Sequence, residues 1–291
     1  MRDLVRAPSA ANPFPPTAPD VTTKEGDRSV LAAQRQTAIL DSVRRQGAVR
    51  VSDLADELSV SEMTIRRDLD ALAGNGLVDK VHGGATLARN TSTYEPGFTA
   101  KSDQQRPEKA AIAAAAAEMV QPGMAVGLSA GTTTWTLASL LKTIPAITVV
   151  TNSIRVANVF HDDPGPDQTI VLTGGVRTPS DALVGPVAAQ ALQSMHLDIV
   201  FMGVHGIDIR AGFTTPNLLE ADTDRELIKA GRRLVVLADH TKVGVIGIST
   251  IATLDQAHVV IVDDGLDSDQ HAALAEHVPH LLTAQSRGSG S

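Results

Sequence analysis

Two hydrophobic rhythms divide this chain. Between about Leu31 and Ala85 the apolar residues recur at helical spacing. In "RQTAILDSVRRQG" (35–47), Ile39, Leu40 and Val43 fall on one face, and Gly47 is placed to stop the helix. "VRVSDLADELSV" then gives a short extended piece, with Ser52 in N-cap position before a helix that turns Leu54, Ala55 and Leu58 inward. After a tight turn at Ser59 and Val60, Ser61 is a second N-cap. Ile65, Leu69 and Leu72 follow at i, i+4 and i+7 and form one buried stripe. That leaves Thr64, Arg66, Arg67 and Asp70 on the other faces. "GNG" ends the helix, and "LVDKVHGGA" (77–85) reads as a strand, a turn at Gly83–Gly84 and the start of a returning strand. Helix, helix, tight turn, helix and hairpin is the order of a winged helix-turn-helix.

From about Glu108 to Asp264 the rhythm changes. Short apolar runs rich in Val and Ile alternate with helix-like stretches: "MAVGL" (124–128), "ITVVT" (147–151), "TIVLT" (169–173), "LDIVFMGV" (197–204), "LVVLA" (234–238) and "HVVIVD" (258–263). Near-continuous apolar strands separated by helices predict a mostly parallel sheet covered on both faces. The expected fold class is therefore α/β: a winged helix-turn-helix at 31–88, a polar linker at 89–107 and an α/β domain at 108–283. Residues 1–28 read as a disordered tail and 284–291 as a flexible one.

Candidate chemistry gathers where these strands should end. "SAGTTTW" (129–135) follows the first, "NS" the second, "GG" the third, "HG" the fourth and "DHTK" (239–242) the fifth. In open α/β sheets ligands bind outside the carboxyl ends of the strands, so these five points predict one pocket. Its candidate residues are Ser129, Gly131, Thr132, Thr133, Thr134, Asn152, Ser153, Gly174, Gly175, His205, Asp239 and Lys242. Small residues and hydroxyls opening a helix can wrap a phosphate with backbone N–H groups, and Lys242 can add the positive charge. No Lys directly follows the glycine, so this is no nucleotide P-loop. Alternatives stand open: Gly-Thr-Thr can be only a capped helix start, His205 a hydrogen-bonded core histidine, and Asp239 a turn cap. "HDD" (161–163) lies in a Pro/Gly loop and reads as solvated surface.

Composition narrows the classes. The net charge is −8, so any nucleic-acid contact must come from a local patch. One Trp, one Tyr and five Phe weigh against single-strand and RNA recognition, which rely on stacked rings. The absence of Cys excludes thiol catalysis and cysteine-ligated zinc and suits a reducing cytoplasm. No run of 18 apolar residues predicts a membrane span. Nothing calls for a metal or cofactor.

The two-arginine helix now has a use. The second helix of the motif lies in the major groove of duplex DNA, where arginine bonds guanine or clamps phosphate. Candidate DNA contacts are Ser61, Thr64, Arg66, Arg67, Lys80, His82 and Gly83. The bland alternative is a solvated face with an Arg66–Asp70 ion pair.

The run Ser61, Thr64-Ile65-Arg66-Arg67-Asp68-Leu69, Leu72 and Val81-His82-Gly83-Gly84-Ala85 resembles the N-terminal signature of DeoR/GlpR-type transcriptional regulators. "GTTT", "TNS", "LTGG", "ALVGP", "GFTTPN" and "LAD" followed by Lys242 extend the resemblance over roughly residues 31–264. It implies operator binding by the first unit. It implies a second unit resembling ribose-5-phosphate isomerase-type sugar-phosphate isomerases that senses phosphorylated sugars, with Glu220 as a further pocket residue. Two departures stand out. The family's usual Asp-Ser before Gly-Thr-Thr is Ser129-Ala130 here, and its Gly-Ala-Asp-Gly is Gly203-Val204-His205-Gly206. Two carboxylates are thus absent, and His205 is the candidate replacement contact. The leading expectation is a homodimeric or homotetrameric repressor of carbohydrate genes, not an enzyme, released by a phosphosugar. The alternative is a sugar-phosphate isomerase carrying a DNA-binding appendage, with Glu220 or Asp239 as base.

Overall fold

The computed structural model describes residues 23–286 apart from 47, 75–76, 82, 88–96, 103 and 164. The expected tail up to residue 22, His82, the stop at Gly47 and most of the expected C-terminal tail lie outside the described residues. The chain forms two compact units that divide after Ala88.

The first unit contains α1 (Thr23–Gln46), β1 (Ala48–Arg50), α2 (Val51–Glu57), α3 (Glu62–Gly74), β2 (Val78–Val81) and β3 (Gly84–Leu87). The three strands form an antiparallel sheet in the order β1-β3-β2. The predicted stripe is the core: Ile65, Leu69 and Leu72 pack with Ile39, Val43, Leu54, Val78 and Ala85. Two expectations need correction. α1 already begins at Thr23, inside the stretch read as tail, and Lys24, Glu25, Arg28 and Leu31 are residue types that lose little freedom in a helix. Ser52 is not an N-cap. α2 starts one residue earlier, and the N–H of Val51 donates to the Gly83 carbonyl at 2.9 Å, so the wing itself closes that helix end.

The second unit runs α4 (Phe98–Ser102), α5 (Arg106–Ala117), β4 (Ala125–Leu128), α6 (Thr132–Leu141), β5 (Thr148–Thr151), α7 (Ile154–Asp162) and β6 (Thr169–Leu172). It continues through β7 (Val176–Arg177), β8 (Leu183–Val184), α8 (Pro186–Gln193), β9 (Ile199–Gly203), β10 (Gly206–Asp208), β11 (Gly212–Thr215) and α9 (Leu218–Ala230). It ends with β12 (Leu234–Leu237), β13 (Ser249–Ala252), β14 (Val259–Asp263), α10 (Ser268–Ala275) and β15 (Leu281–Ala284).

Seven strands form a parallel sheet in the order β15-β14-β12-β9-β4-β5-β6. All six predicted strands are in it. Alternate residues serve opposite faces, which is why the runs are apolar throughout. Val126, Leu128, Phe201, Leu237 and Ile261 meet Ile112, Leu137 and Phe160 of α5, α6 and α7. Val200, Met202, Val236 and Val260 meet Leu192, Leu227 and Leu274 of α8, α9 and α10. The seventh strand, β15, is an edge strand with a half-exposed face, and so lacks the apolar run that marks the others. From β4 the chain winds outward to β5 and β6, then returns to β9 on β4's other side. The strand order reverses between β4 and β9, which is where an open α/β sheet leaves its crevice.

The expected linker is also corrected. Its second half is folded onto this unit as α4 and the start of α5. Phe98 is buried and meets Trp135 edge-on, with ring centroids 5.8 Å apart and planes at 88°. One aromatic anchor in a polar stretch has no period to betray it.

Candidate functional site

Two sites are built from these elements, one in each unit. In the first, Ser61 caps α3 as predicted: its Oγ accepts from the Thr64 N–H at 3.2 Å and lies 2.9 Å from Thr64 Oγ1. The exposed face of α3 carries Arg66 and Arg67. The two arginines differ. Arg66 pairs with Glu62 at 2.9 Å, one turn back, whereas Arg67 has no ion pair among the described residues. The expected Arg66–Asp70 pair does not form, because Asp70 instead holds Lys80 of the wing. Lys80 therefore buttresses the hairpin against α3 as well as standing half-exposed. Met63 is 76% exposed in the same part of the helix, a large apolar side chain that the core-first reading of the sequence passed over. Asp68 faces inward. It accepts from Arg35 Nε at 2.5 Å and Gln36 Nε2 at 3.2 Å, pinning α1 to the reading helix. At the wing turn, a Cβ on Gly84 would stand 2.1 Å from the Val49 carbonyl oxygen, so only glycine lets β3 pair with β1 there.

The second site is a cleft at the β4–β9 reversal. Of the predicted residues it is lined by Gly131, Thr132, Thr133, His205, Glu220, Asp239 and Lys242. The N-terminus of α6 opens into it with no side-chain cap on its first N–H groups. Lys242 follows β12 on a short 3₁₀ turn. Asp239 caps that turn through the Thr241 N–H at 3.1 Å and stands 4.0 Å from Lys242 Nζ. Asp239 is therefore the expected turn cap and also a partner of Lys242. His205 lines the cleft half-buried, donating its backbone N–H to the Thr214 carbonyl.

The other predicted residues stand behind the cleft and shape it. Ser129 Oγ accepts from the Gly203 N–H at 3.0 Å and ties the ends of β4 and β9 together. Asn152 Oδ1 accepts from the Ala130 N–H at 3.0 Å and holds the glycine loop. Thr134 Oγ1 donates to the Gly131 carbonyl, and Ser153 caps α7. Gly174 and Gly175 lead into the β7–β8 hairpin. A Cβ on Gly175 would meet Val184 O at 2.5 Å, so this glycine serves hairpin closure rather than a ligand. The "HDD" stretch is exposed, and its Asp163 pairs with Lys142.

Two further cleft residues, Asp224 and Lys109, left no trace in the sequence pattern, and Glu220 was reached only through the family resemblance. Glu220 accepts from Thr178 Oγ1 at 2.6 Å and from Ser180 Oγ, so the β7–β8 hairpin orients it. Asp224 stands one turn later on α9. Burial first, then the charge of Glu220, push its carboxyl well above the usual range. Lys109 is only 5% exposed. Its Nζ donates to the carbonyls of Lys101 at 2.7 Å and Gln104 at 2.6 Å. Burial lowers its pKa to about 8, with Asp239 opposing. The cleft thus has cationic groups beside a helix N-terminus at one side and two neighbouring carboxyls on α9.

The comparisons agree with this layout. The DeoR-like helix-turn-helix domain matches residues 35–91, and the DeoR C terminal sensor domain matches residues 104–264. The HTH-type transcriptional regulator GolR of Listeria innocua is 34% identical over 235 residues, 80% of this chain and 91% of that protein. The HTH-type transcriptional regulator GlpR of Haloferax volcanii is 34% identical over 241 residues, 82% and 93% of the two chains. The L-fucose operon activator of Haemophilus influenzae is 31% identical over 244 residues, 84% and 96%. Among solved structures, ribose 5-phosphate isomerase A of Methanocaldococcus jannaschii aligns at a TM-score of 0.35 and 16% identity, covering 46% of this chain and 53% of that one. That likeness is too slight to bear on chemistry. A reading helix in a winged unit, a cleft at the sheet reversal and family matches over both make this chain a member of the DeoR family, a DNA-binding transcriptional regulator with a C-terminal sensor domain.

Proposed function

We propose that this protein controls a carbohydrate-metabolism operon from the cytoplasm, as a repressor whose operator affinity falls when a phosphorylated sugar enters the cleft. One observation carries the reading: the uncapped N-terminus of α6, Lys242 and the carboxyls of Glu220 and Asp224 line a single cleft. A phosphate suits the first two groups and sugar hydroxyls suit the last two. His205 stands on the same wall and contacts the sugar. A relative named for an L-fucose operon supports a carbohydrate signal. The effector acts by linkage. It binds the weak-DNA conformation better than the tight one, and only that difference shifts occupancy. Winged-helix regulators read paired half-sites as dimers, so the working species is a homodimer or homotetramer.

Fluorescence anisotropy on DNA from upstream of the protein's own gene, titrated with a panel of phosphorylated and free sugars, tests this. Specific binding weakened by one phosphosugar supports the proposal, and specific binding indifferent to the whole panel counts against the sensing half. His205→Ala is expected to weaken the active sugar, and unchanged affinity removes His205 from the site.

The raised Asp224 carboxyl favours a second reading, because a proton held by burial in a cleft is the pattern of a general acid. On the proposed function the cleft binds without turnover. Conversion of ribose 5-phosphate by the purified protein, abolished in Asp224→Asn, would move the isomerase reading ahead.

A further inference from the structure

Lys109 sits where the cleft meets the stretch of chain that leads into it. Residues 97–105 precede the sensor's first long helix, and Phe98, Lys101, Gln104 and Gln105 themselves line the cleft. Phe98, Lys101 and Gln104 of that stretch are fastened to the rest of the unit at three points. Phe98 donates its N–H to Pro179 O at 3.4 Å and packs edge-on against Trp135, directly after the Thr132–Thr134 run. The guanidinium of Arg155, paired with Asp181, lies 5.1 Å from the Phe98 ring centroid. Lys109 Nζ holds the Lys101 and Gln104 carbonyls. Between them Gln105 is in the left-handed region, at φ 51° and ψ 42°, with no glycine to ease it. A residue held in that region stays there only while its surroundings insist.

We propose that Lys109 is the positioning residue that reports cleft occupancy: an anion seated at the α6 N-terminus draws its ammonium off the Lys101 and Gln104 carbonyls and so loosens residues 97–105. The chemistry favours the exchange. A phosphate oxygen accepts a charge-assisted hydrogen bond roughly twice as strong as one from a neutral carbonyl. It also adds to Asp239 and Glu108 in compensating a buried charge whose ammonium donates to neutral carbonyls. The two carbonyls then lose their donor, and the Gln105 turn loses the tie that holds it. The change falls in the stretch that follows the winged unit in the chain. The inference rests on anion binding in the cleft and adds the route by which binding is transmitted.

The test is amide hydrogen exchange on the full-length protein with inorganic phosphate as the probe, at ionic strength matched with chloride, alongside Trp135 emission. Phosphate is expected to change the emission and to speed exchange over 97–105 by at least roughly tenfold, the loss of one charge-assisted hydrogen bond. Exchange inside β4 and β9 is expected to stay unchanged. In Lys109→Met the segment is expected to exchange fast without phosphate and to show no further response. Lys109→Arg is expected to restore protection with a smaller response. A purely structural lysine would lose protection in Lys109→Met yet leave the wild-type segment unmoved by phosphate. An emission change with unaltered exchange over 97–105 in the wild type therefore overturns this route while leaving the cleft an anion site. No emission change and no exchange response anywhere in the cleft rejects both. The wild-type and Lys109→Arg proteins carry the test if Lys109→Met does not fold.

Discussion

Lys109 is expensive to bury, and the cost is visible in its titration. Desolvation lowers its pKa from 10.5 to about 8; Asp239 and Glu108 oppose that shift, and Lys242 and Lys101 add to it. In the unfolded chain the ammonium keeps its proton up to the ordinary value, so between pH 8 and 10.5 the unfolded state binds more protons than the folded one. Stability then rises with pH across that window, by on the order of 3 kcal/mol if the full shift is realised. Below pH 8 the penalty is constant. Urea midpoints measured from pH 7 to 10 should therefore climb in the wild type relative to Lys109→Met, which has no proton to lose. Parallel curves for the two proteins would mean that the ammonium is not desolvated. Nothing in the sequence signals this residue. "PEKAAIAAAAA" reads as an ordinary alanine-rich helix, and the lysine's burial follows only when the carbonyls of Lys101 and Gln104 turn back over it. Lys242 was legible because it follows a strand, and strand ends in such sheets have one fate.

At the scale of elements, α3 depends on two ties that make different predictions. Asp68 belongs to the signature that suggests DNA binding, yet it points at Arg35 and Gln36 of α1 and not outward. Asp68→Ala leaves the exposed reading face chemically intact and removes the pin, which is expected to destabilise the winged unit by about 1–3 kcal/mol. Its DNA affinity should recover when the temperature is lowered enough to keep the unit folded. An equal loss at every temperature, with no change in thermal midpoint, would instead place Asp68 on the DNA. Gly84→Ala is expected to be harsher. Its Cβ would collide with backbone, which cannot rotate away, so β1 and β3 must part and the wing with them. Circular dichroism melts should show a larger fall than for Ile65→Val, which costs roughly 0.5–1.5 kcal/mol as the loss of one buried methyl group. The α3 stripe and the six predicted strands were readable because burial imposes a regular apolar pattern on them. α4, β15 and the carboxyl pairing on α9 were not, since each depends on what another part of the chain brings to it.

The whole molecule must bind a polyanion while carrying a net charge of −8. Long-range repulsion therefore opposes association, and affinity has to come from the few cations held at the duplex surface. Arg67 is the clearest of these, because Arg66 is already engaged by Glu62 and Lys80 by Asp70. Removing Arg67 distinguishes two kinds of contact. If it clamps a phosphate, Arg67→Ala should weaken operator and unrelated DNA alike and reduce the slope of log K against log salt by about 0.9. If it reads a guanine, operator binding should lose roughly 1–3 kcal/mol while unrelated DNA is barely affected. Ser61 caps α3 and the two arginines lie in its first turns, where the motif meets base edges, so the second outcome is expected. Arg66→Ala should cost binding too although Arg66 is already engaged, because it frees Glu62 from its partner and returns an uncompensated negative charge to the same surface. Glu62→Gln then becomes informative. By releasing Arg66 and deleting a repelling carboxylate it should tighten binding to operator and unrelated DNA together. Anisotropy at four or five salt concentrations, on operator and scrambled duplexes, separates these cases. Tighter binding to the operator alone in Glu62→Gln would mean that Glu62 itself accepts from a base.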